Sequence, residues 1–378
     1  MDTENKILWD KSVHVSGAGS YIRFHKNYSP FSIDMKNNLL VVGIKINSIA
    51  ANATLDVRVA DASGVLIPYN LMVPGATTVY GEWQEFTIPM GGYHRQNSNN
   101  NPANVDFSNI VDIYIISVNG ACDFNVQYIG YRPNPLHKGI VSFTFDDGYK
   151  SAADGIKALA ERGATGTLYV MGEMGENTFL TTSELQNLVQ LYGTDVEAHG
   201  TTEYQNLTDN ELVEHWSSIK KYLVENGLSN GDHLAYPGGK HPTRVYNLAK
   251  RYFQSCRTIR SCIPVESYPP YDSHAMRAVT GVSQNSVKPS KVKQLIDQAI
   301  ISKSWLILVF HKIDDGTDTT SMSCSMEAFK EIVDYAVASD IRIMNVAEVF
   351  STNAQSVSVA ELTQSVIDAL PVYNGEVG

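Results

Sequence analysis

The sequence predicts two domains of different class, an all-β sandwich followed by a distorted (β/α) barrel, which is an α/β fold with a parallel sheet. A chain of 378 residues suits two domains of ordinary size. Up to about Arg132, short segments alternate between apolar and polar residues, as half-buried antiparallel strands do. Beyond it, apolar runs alternate with amphipathic helices, which indicates a parallel sheet, closed or open.

The composition excludes several classes of partner. Hydrophobic residues make up 43% of the chain and charged residues 18%, with a formal net charge of −11. That charge argues against a nucleic-acid surface and against anionic membranes, and the longest apolar runs, such as 305–310, are too short for membrane insertion. The N-terminal residues lack the basic start and apolar stretch of a signal peptide. A cytoplasmic location, a removed leader and export by another route all stay open at this point.

Residues 1–134 are predicted to form the sandwich. Alternating segments at 55–59, 111–115 and 124–128 are separated by turn residues, as in antiparallel sandwiches. Through WQEFTIP at 83–89 and YIGY at 128–131, this half resembles the jelly-roll modules attached to carbohydrate enzymes. Such a module can bind sugar, mediate assembly or act as a spacer. Aromatic side chains that could stack on sugar rings, if exposed, are Tyr69, Tyr80 and Tyr93.

The domain boundary is predicted in YRPNPL at 131–136, because two prolines in three residues stop both strands and helices. The second domain then covers 135–352, and the acidic remainder, 353–378, is expected to be a tail or an assembly contact. The strands predicted in the second domain are 140–145, 166–170, 194–198, 233–236, 254–258, 276–279, 305–310 and 341–346.

The clearest predicted helix covers residues 209–226. Thr208 and Glu211 have the spacing of a capping box at its start, and Gly227 can end it. Its apolar residues recur on one helical stripe, and residues 325–339 show the same pattern. These helices supply the layer that would cover one face of the parallel sheet.

Polar residues follow the ends of several predicted strands. Asp146 and Asp147 follow strand 140–145, His199 follows 194–198, and His311 follows 305–310, while a Pro-Gly-Gly turn follows 233–236. Two adjacent carboxylates at the end of a buried strand are costly to desolvate, so they favour a bound metal or a proton to be moved. In parallel sheets the C-terminal strand ends meet on one rim, where functional residues lie.

These motifs resemble those of the NodB-homology polysaccharide deacetylases, the fourth carbohydrate esterase family, over residues 139–350. TFDDG at 144–148 matches the family's first motif in full, and LILVFH at 306–311 matches its last. The resemblance implies that Asp146 is the general base and His311 the general acid, and that Asp147 and His199 bind a divalent metal. It implies zinc first, with cobalt, nickel or manganese as alternatives. A backbone N–H of the Pro-Gly-Gly turn, that of Gly238, would stabilise the oxyanion.

The second family motif, His-x-x-x-His, differs in this chain. Here it reads HGTTE, so Glu203 stands where the second histidine ligand is expected. A carboxylate can bind the same metals, which would give the set Asp147, His199 and Glu203. The alternatives are that Glu203 points into solvent with metal weak or absent, or that Glu197 takes the ligand position.

The third motif usually carries an arginine that orients the base, and this chain has Ala235 there. Arg257, at the end of the next predicted strand, could supply the missing charge, or could be a surface arginine. No aspartate-tryptophan motif is evident, so the group that tunes His311 is unassigned. Candidates for that role are Arg277 and Asp272.

The leading hypothesis is a metal-dependent deacetylase that acts on an acetylated polysaccharide, presented by the sandwich. N-acetylglucosamine polymers, peptidoglycan and acetylated surface or capsular glycans all suit the motifs, and the sequence does not separate N- from O-deacetylation. The alternative is a non-catalytic glycan-binding or structural protein on a degenerate deacetylase scaffold, which the departures at Glu203 and Ala235 favour. Expected partners are the glycan and a homo-oligomeric or virion assembly contact, for example in a phage tail. The expected location is therefore extracellular or on a virion.

Overall fold

The computed structural model describes residues 12–27, 31–72, 79–93, 101–173, 177–260, 262–316, 320 and 322–353. The chain divides into two compact units between Pro135 and Leu136. The predicted acidic tail, 353–378, lies almost entirely outside the described residues. Cys122, Cys256 and Cys324 are buried free thiols. In the described part of the chain, no helix is both long and apolar enough to cross a membrane.

The first unit consists of antiparallel strands. They are β1 (Val13–Ala18), β2 (Tyr21–His25), β3 (Asn38–Ile49), β4 (Thr54–Ala60), β5 (Ile67–Met72), β6 (Trp83–Ile88), β7 (Asp112–Val118) and β8 (Ala121–Pro133). Two four-stranded sheets result, ordered β1-β8-β3-β6 and β2-β7-β4-β5. The predicted alternation is seen on β4, where Leu55, Val57 and Val59 are fully buried and Arg58 between them is partly exposed.

The expectation that Tyr69 could stack on a sugar ring is wrong. Its side chain is fully buried, and its hydroxyl donates a hydrogen bond to the Met90 carbonyl at 2.8 Å. Tyr69 therefore belongs to the core and cannot stack on a sugar. Tyr80 and Tyr93 are partly exposed.

The second unit alternates strands and helices, as predicted. Its strands are β9 (Ile140–Phe145), β10 (Thr167–Val170), β11 (Asp195–Ala198), β12 (His233–Ala235), β13 (Ser255–Arg257), β14 (Trp305–Phe310), β15 (Lys312–Asp314), β16 (Ser323–Ser325) and β17 (Arg342–Ile343). Its helices are α1 (Ala152–Ala160), α2 (Thr182–Tyr192), α3 (Asp209–Glu225), α4 (Thr243–Ala249), α5 (Pro289–Ser302), α6 (Met326–Ala338) and α7 (Val346–Asn353). Helix α3 begins with the predicted capping box between Thr208 and Glu211.

The main sheet is parallel and has the order β13-β12-β11-β10-β9-β14, with β17 paired to the first half of β9. Segment 276–279, predicted as a strand, makes only isolated bridges: Met276 pairs with Arg257 of β13 and Val279 with Leu308 of β14. These two bridges connect the two end strands. The fold prediction of a sandwich followed by a distorted (β/α) barrel is thus confirmed, and the barrel is incomplete.

Alternate residues of β9 face two different layers. Val141, Phe143 and Phe145 pack into the large apolar core that includes the buried faces of the helices. Ser142 faces the other side, where it accepts a hydrogen bond from the Trp305 indole at 2.9 Å. β9 ends at Phe145, and two aspartates follow it directly; the left-handed backbone of Asp147 (φ 71°) interrupts the strand alternation there.

Candidate active site

Four of the predicted site residues lie at the C-terminal ends of strands in the parallel sheet. Asp146 follows β9, His199 follows β11, His311 follows β14, and Arg257 is the last residue of β13. The Asp146 amide donates a hydrogen bond to the Phe310 carbonyl at 2.9 Å, which aligns the ends of β9 and β14. The strands thus fix the backbone positions of these four residues.

Asp146 forms a buried ion pair with Arg257. The Arg257 Nη2 donates a hydrogen bond to Asp146 Oδ1, and the two side chains are 0% and 5% exposed respectively. The guanidinium also lies over the Tyr169 ring at 5.1 Å from its centroid. Burial alone would raise the pKa of Asp146, but the charges of Arg257, His199 and His311 outweigh it and lower that pKa. Asp146 is therefore an ionised, oriented carboxylate.

Arg257 reaches Asp146 from the strand next to the one where the family motif has its arginine. Residues Ala235 and Arg257 are direct partners in the parallel pairing of β12 and β13. Side chains paired in this way project from the same face of a sheet. The alanine at 235 is short, and the arginine beside it is fully buried and paired with Asp146.

His311 faces the other oxygen of Asp146. Its Nε2 lies 4.0 Å from Asp146 Oδ2, which is an ion-pair distance and too long for a hydrogen bond. Burial lowers the pKa of His311 and outweighs the opposing effect of Asp146 and Asp147. Its Nδ1 is buried and has no hydrogen-bond partner among the described residues.

Neither of the residues considered for tuning His311 provides that partner. Arg277 donates to Glu266 at 3.1 Å, and both side chains are almost completely buried. Asp272 accepts a hydrogen bond from the Tyr246 hydroxyl at 2.6 Å. Arg277 and Asp272 are thus both engaged in contacts that hold the segment after β13, and neither contacts His311 Nδ1.

Asp147 and His199 present their donor atoms to each other. Asp147 has a left-handed backbone (φ 71°), uncommon for a residue other than glycine. His199 Nε2 lies 3.2 Å from Asp147 Oδ1, and His199 Nδ1 lies 2.7 Å from the Ala235 carbonyl oxygen. A carbonyl can only accept, so Nδ1 carries a proton and Nε2 is the nitrogen available to a cation. Burial disfavours the charged imidazole, but Asp147 and Asp146 outweigh it and raise the pKa of His199.

This donor set fits part of a metal site. A carboxylate oxygen and an imidazole nitrogen that face each other at 3.2 Å repel unless a proton or a cation lies between them. The backbone carbonyl behind His199 is the kind of outer partner that orients histidine ligands. Asp147 and His199 therefore fit a divalent cation as two of its ligands.

Glu203 is not brought together with that pair. Its Oε1 accepts a hydrogen bond from Lys240 Nζ and its Oε2 accepts one from Gln205 Nε2 at 3.0 Å. Among the described residues, no set of three or more His, Cys, Asp or Glu side chains is arranged to hold a metal ion. The predicted set of Asp147, His199 and Glu203 is thus not assembled here. Lys240 was not singled out from the sequence, since nothing in its neighbours marks it.

Glu197, the other substitute ligand considered, lies deeper in the sheet. It is buried, and its Oε2 accepts a hydrogen bond from the His233 amide at 2.9 Å. Burial, together with the nearby Asp195 carboxylate, raises the pKa of Glu197 well above its ordinary value. Glu197 therefore connects β11 to β12 and, among the described residues, does not form a metal-binding set with Asp147 and His199.

The Pro237–Gly239 turn follows β12 as a short 3-10 turn. Gly238 and Gly239 both have left-handed backbones, with φ of 58° and 68°. A Cβ on Gly239 would lie 2.8 Å from the Ile259 backbone nitrogen, so no larger residue fits there. A Cβ on Gly238 would lie 3.5 Å from Glu203 Oε1, which places the Glu203–Lys240 pair beside this turn.

Two contacts of the Tyr149 ring fix the loop that carries Asp147. The Tyr149 ring stacks on Phe179 with 5.1 Å between centroids, and Lys312 Nζ lies 5.1 Å from the centroid of the Tyr149 ring. Tyr149 and Phe179 also form an isolated β-bridge. The loop after β9 is thereby tied to the segments on either side of it.

Comparisons with known proteins give one family match and several similar solved structures. Residues 134–253 match the family model described as polysaccharide deacetylase. Similar solved structures include a family 4 carbohydrate esterase from Streptomyces lividans in complex with acetate (17% identity, covering 55% of this chain and 92% of that chain, TM-score 0.39). Others are the peptidoglycan deacetylase PdaC from Bacillus subtilis (13%, 58% and 93%, TM-score 0.38) and a family 4 acetyl xylan esterase from Clostridium thermocellum in complex with cobalt (15%, 57% and 93%, TM-score 0.38).

No curated protein matches the chain. The TM-scores of these three solved structures are below 0.5, and the family match covers residues 134–253, about a third of the chain.

Proposed function

We propose, from the match of residues 134–253 to the polysaccharide deacetylase family, that the protein hydrolyses acetyl groups of a polysaccharide with a metal-assisted water molecule. One observation carries the proposal: a buried, ionised Asp146 is oriented by Arg257 and faced by His311. N-acetylglucosamine polymers, peptidoglycan and acetylated surface glycans are the substrate classes. The chemistry of the site serves amides and esters alike.

Asp147 and His199 would hold the metal, and zinc suits a carboxylate and imidazole pair. A bound divalent cation supplies Lewis-acid chemistry, since it lowers the pKa of water and polarises an acetyl carbonyl. His199 is prepared for this by its Nδ1–H donation to the Ala235 carbonyl oxygen. Cobalt, nickel and manganese are alternative metals for the same two residues.

Asp146 acts as the general base. It accepts the proton of the attacking water, and a positioned base typically contributes about 10²–10⁴ in rate. Arg257 holds Oδ1 through its Nη2, which leaves Oδ2 as the basic oxygen on the side of His311. Because the pKa of Asp146 is lowered, the carboxylate is ionised at neutral pH before the reaction starts.

His311 acts as the general acid. Its Nε2 lies 4.0 Å from Asp146 Oδ2, so the proton donor and the proton acceptor are close together. In its protonated form it gives a proton to the departing amine or alkoxide. The turn at 237–239 would offer the Gly238 N–H to the developing oxyanion.

The test is acetate release from a panel of acetylated glycans: chitin oligosaccharides, peptidoglycan, acetylated xylan and an acetylated capsular polysaccharide. Zinc-loaded protein should release acetate from at least one, and Asp146→Asn should reduce that rate by about 10²–10⁴. No release from any glycan, with Asp146→Asn indistinguishable from the wild type, would instead support the non-catalytic alternative. The Glu203–Lys240 pair is the observation that favours that alternative, because it leaves only Asp147 and His199 as protein ligands for a metal.

We propose that the sandwich unit positions the glycan. On the β2–β7 sheet, Tyr21 is 55% exposed and its ring lies 5.7 Å from that of Tyr114. The Arg23 guanidinium covers the Tyr114 ring at 4.9 Å and bonds both oxygens of Asp112. An exposed aromatic ring beside charged hydrogen-bonding groups suits the apolar face and the hydroxyls of a pyranose.

Affinity electrophoresis through gels that contain acetylated xylan or glycol chitin tests this role. Tyr21→Ala should migrate faster through the glycan gel than the wild type does. Val13→Ala, which also changes an exposed side chain but on the other sheet, is the matched control. Equal retardation of Tyr21→Ala and wild type would remove this face from glycan binding.

A further inference from the structure

Both oxygens of the Glu203 carboxylate are held by protein donors. Lys240 Nζ donates to Oε1 and Gln205 Nε2 donates to Oε2 at 3.0 Å. Glu203 immediately precedes the short turn Tyr204–Asn206, and Lys240 immediately follows the turn Pro237–Gly239. The contact therefore joins the loop after β11 to the loop after β12.

The pair lies at the edge of the site. A Cβ on Gly238 would be 3.5 Å from Glu203 Oε1, so this carboxylate lies against the Pro237–Gly239 turn. His199, four residues before Glu203, meets Asp147 at 3.2 Å. Glu203 is thus in the same loop as a metal-binding histidine, yet its carboxylate is directed to an ammonium group.

An ammonium group and a divalent cation compete for the same carboxylate oxygen. Lys240 is a flexible point charge without acceptor atoms, so it cannot itself join a metal site while it is protonated. The two side chains are 36% and 38% exposed, and exposed ion pairs of this kind are weak and screened by salt. Such a contact can open, but the metal must displace the ammonium to gain Glu203 as a ligand.

We infer that Lys240 keeps Glu203 away from the metal, so that Asp147 and His199 alone bind the cation and the site has a modest, tunable affinity. The inference rests on the metal site of the proposed function and assigns Lys240 a role in metal affinity. The pair would replace a second metal ligand with an internal ion pair. Removal of the ammonium then releases Glu203 to become the third protein ligand.

The test is isothermal titration calorimetry with Zn²⁺ alone on the full-length protein. Lys240→Met keeps the length of the side chain without its charge and should bind Zn²⁺ at least tenfold more tightly than the wild type. Glu203→Gln should bind within twofold of the wild type, because Glu203 is not a ligand there. The double variant Lys240→Met/Glu203→Gln should lose the gain, because the gain depends on the carboxylate.

Controls make the result specific. Lys221→Met removes an exposed lysine that pairs with Glu225 on α3, and its Zn²⁺ affinity should equal that of the wild type. If Lys240→Met does not fold, Lys240→Ala serves in its place, with circular dichroism to check folding. The visible absorption of Co²⁺ gives a second readout, since a change of ligand set changes the spectrum.

Three outcomes would overturn the inference. A tenfold weaker affinity in Glu203→Gln would show that Glu203 is a ligand in the wild type. An unchanged affinity in Lys240→Met would show that the ammonium does not compete. Zn²⁺ binding by none of the variants would remove the site itself. Acetate release by the wild type is measured on the same preparations, so a failure of the proposed function is distinguishable from a failure of this inference.

Discussion

Two ion pairs stand at positions where this chain departs from the deacetylase motifs, and they differ in burial. Arg257 and Asp146 are 0% and 5% exposed, whereas Lys240 and Glu203 are 36% and 38% exposed. The first pair joins residues at the ends of two strands, and the second joins two loops. A buried charge that loses its partner is strongly destabilising, while an exposed pair contributes little. The buried pair is therefore a fixed part of the site, and the exposed pair can exchange partners.

The largest expected effect follows from breaking the buried pair. Arg257→Ala leaves the Asp146 carboxylate buried without its countercharge, which should destabilise the protein by about 3–5 kcal/mol. The base also loses its orientation, so acetate release should fall by about 10²–10⁴. Chemical denaturation and initial rates at a temperature where the variant is folded measure the two effects separately.

Arg257→Lys is the matched control. It keeps the positive charge but loses the planar guanidinium that reaches both Asp146 and the Thr258 carbonyl. It should therefore recover part of the stability and little of the activity. An Arg257→Ala variant as stable as the wild type would contradict the account of a buried, dependent pair.

The next prediction concerns the pH dependence of stability, and it follows from the buried His233 on β12. His233 is buried, lies 2.9 Å from the Ser255 hydroxyl through Nδ1, and stacks on Phe350 at 5.1 Å. Burial lowers the pKa of His233 to about 4, from 6.5 for an ordinary histidine. The unfolded chain thus takes up a proton first as the pH falls, so stability decreases from pH 6.5 down to about pH 4.

At about 1.36 kcal/mol per pKa unit, this histidine should account for a loss of about 3 kcal/mol over that range. His233→Asn keeps a polar atom toward Ser255 but cannot be protonated. Denaturation at pH 7 and pH 4.5 should show a smaller decrease for His233→Asn than for the wild type. The same decrease in both proteins would show that His233 does not titrate on unfolding.

The exposed pair gives the smallest effect on stability. Lys240→Met should change the free energy of unfolding by less than about 1 kcal/mol, because the pair is solvated on both sides. Thermal melts in low and high salt check this, and the difference between the two proteins should shrink as the salt rises. A loss of several kcal/mol would place this pair in the same class as the buried one.

The comparison also shows what the sequence could reveal. Strand 140–145, helix 209–226 and the polar strand ends were predictable, because hydrophobic period, capping residues and turn residues are local signals. Parallel strand ends meet on one rim, so the convergence of Asp146, His199 and His311 followed from the order of the elements.

Pairings between distant residues were not predictable in the same way. Lys240 and Glu203 are 37 positions apart, and their contact depends on two loop conformations. Segment 276–279 has the pattern of a strand but makes only two isolated bridges, since periodicity does not report hydrogen-bond partners. Tyr69 was considered for an exposed role, and only the packing of the sandwich shows that it is buried.

We propose that Asp146 works as a base because a guanidinium reaches it from β13 in place of one on β12. Ala235 and Arg257 are register partners, so Ala235→Arg combined with Arg257→Ala returns the arginine to the neighbouring strand. The most direct measurement is the initial rate of acetate release by the wild type, by Arg257→Ala and by this double variant, at matched Zn²⁺ loading. We expect a large loss of rate in Arg257→Ala and at least a tenfold recovery in the double variant. If Arg257→Ala had wild-type activity, Arg257 would not be needed for Asp146 to work as a base. A double variant no faster than Arg257→Ala would show that an arginine on β12 cannot take its place.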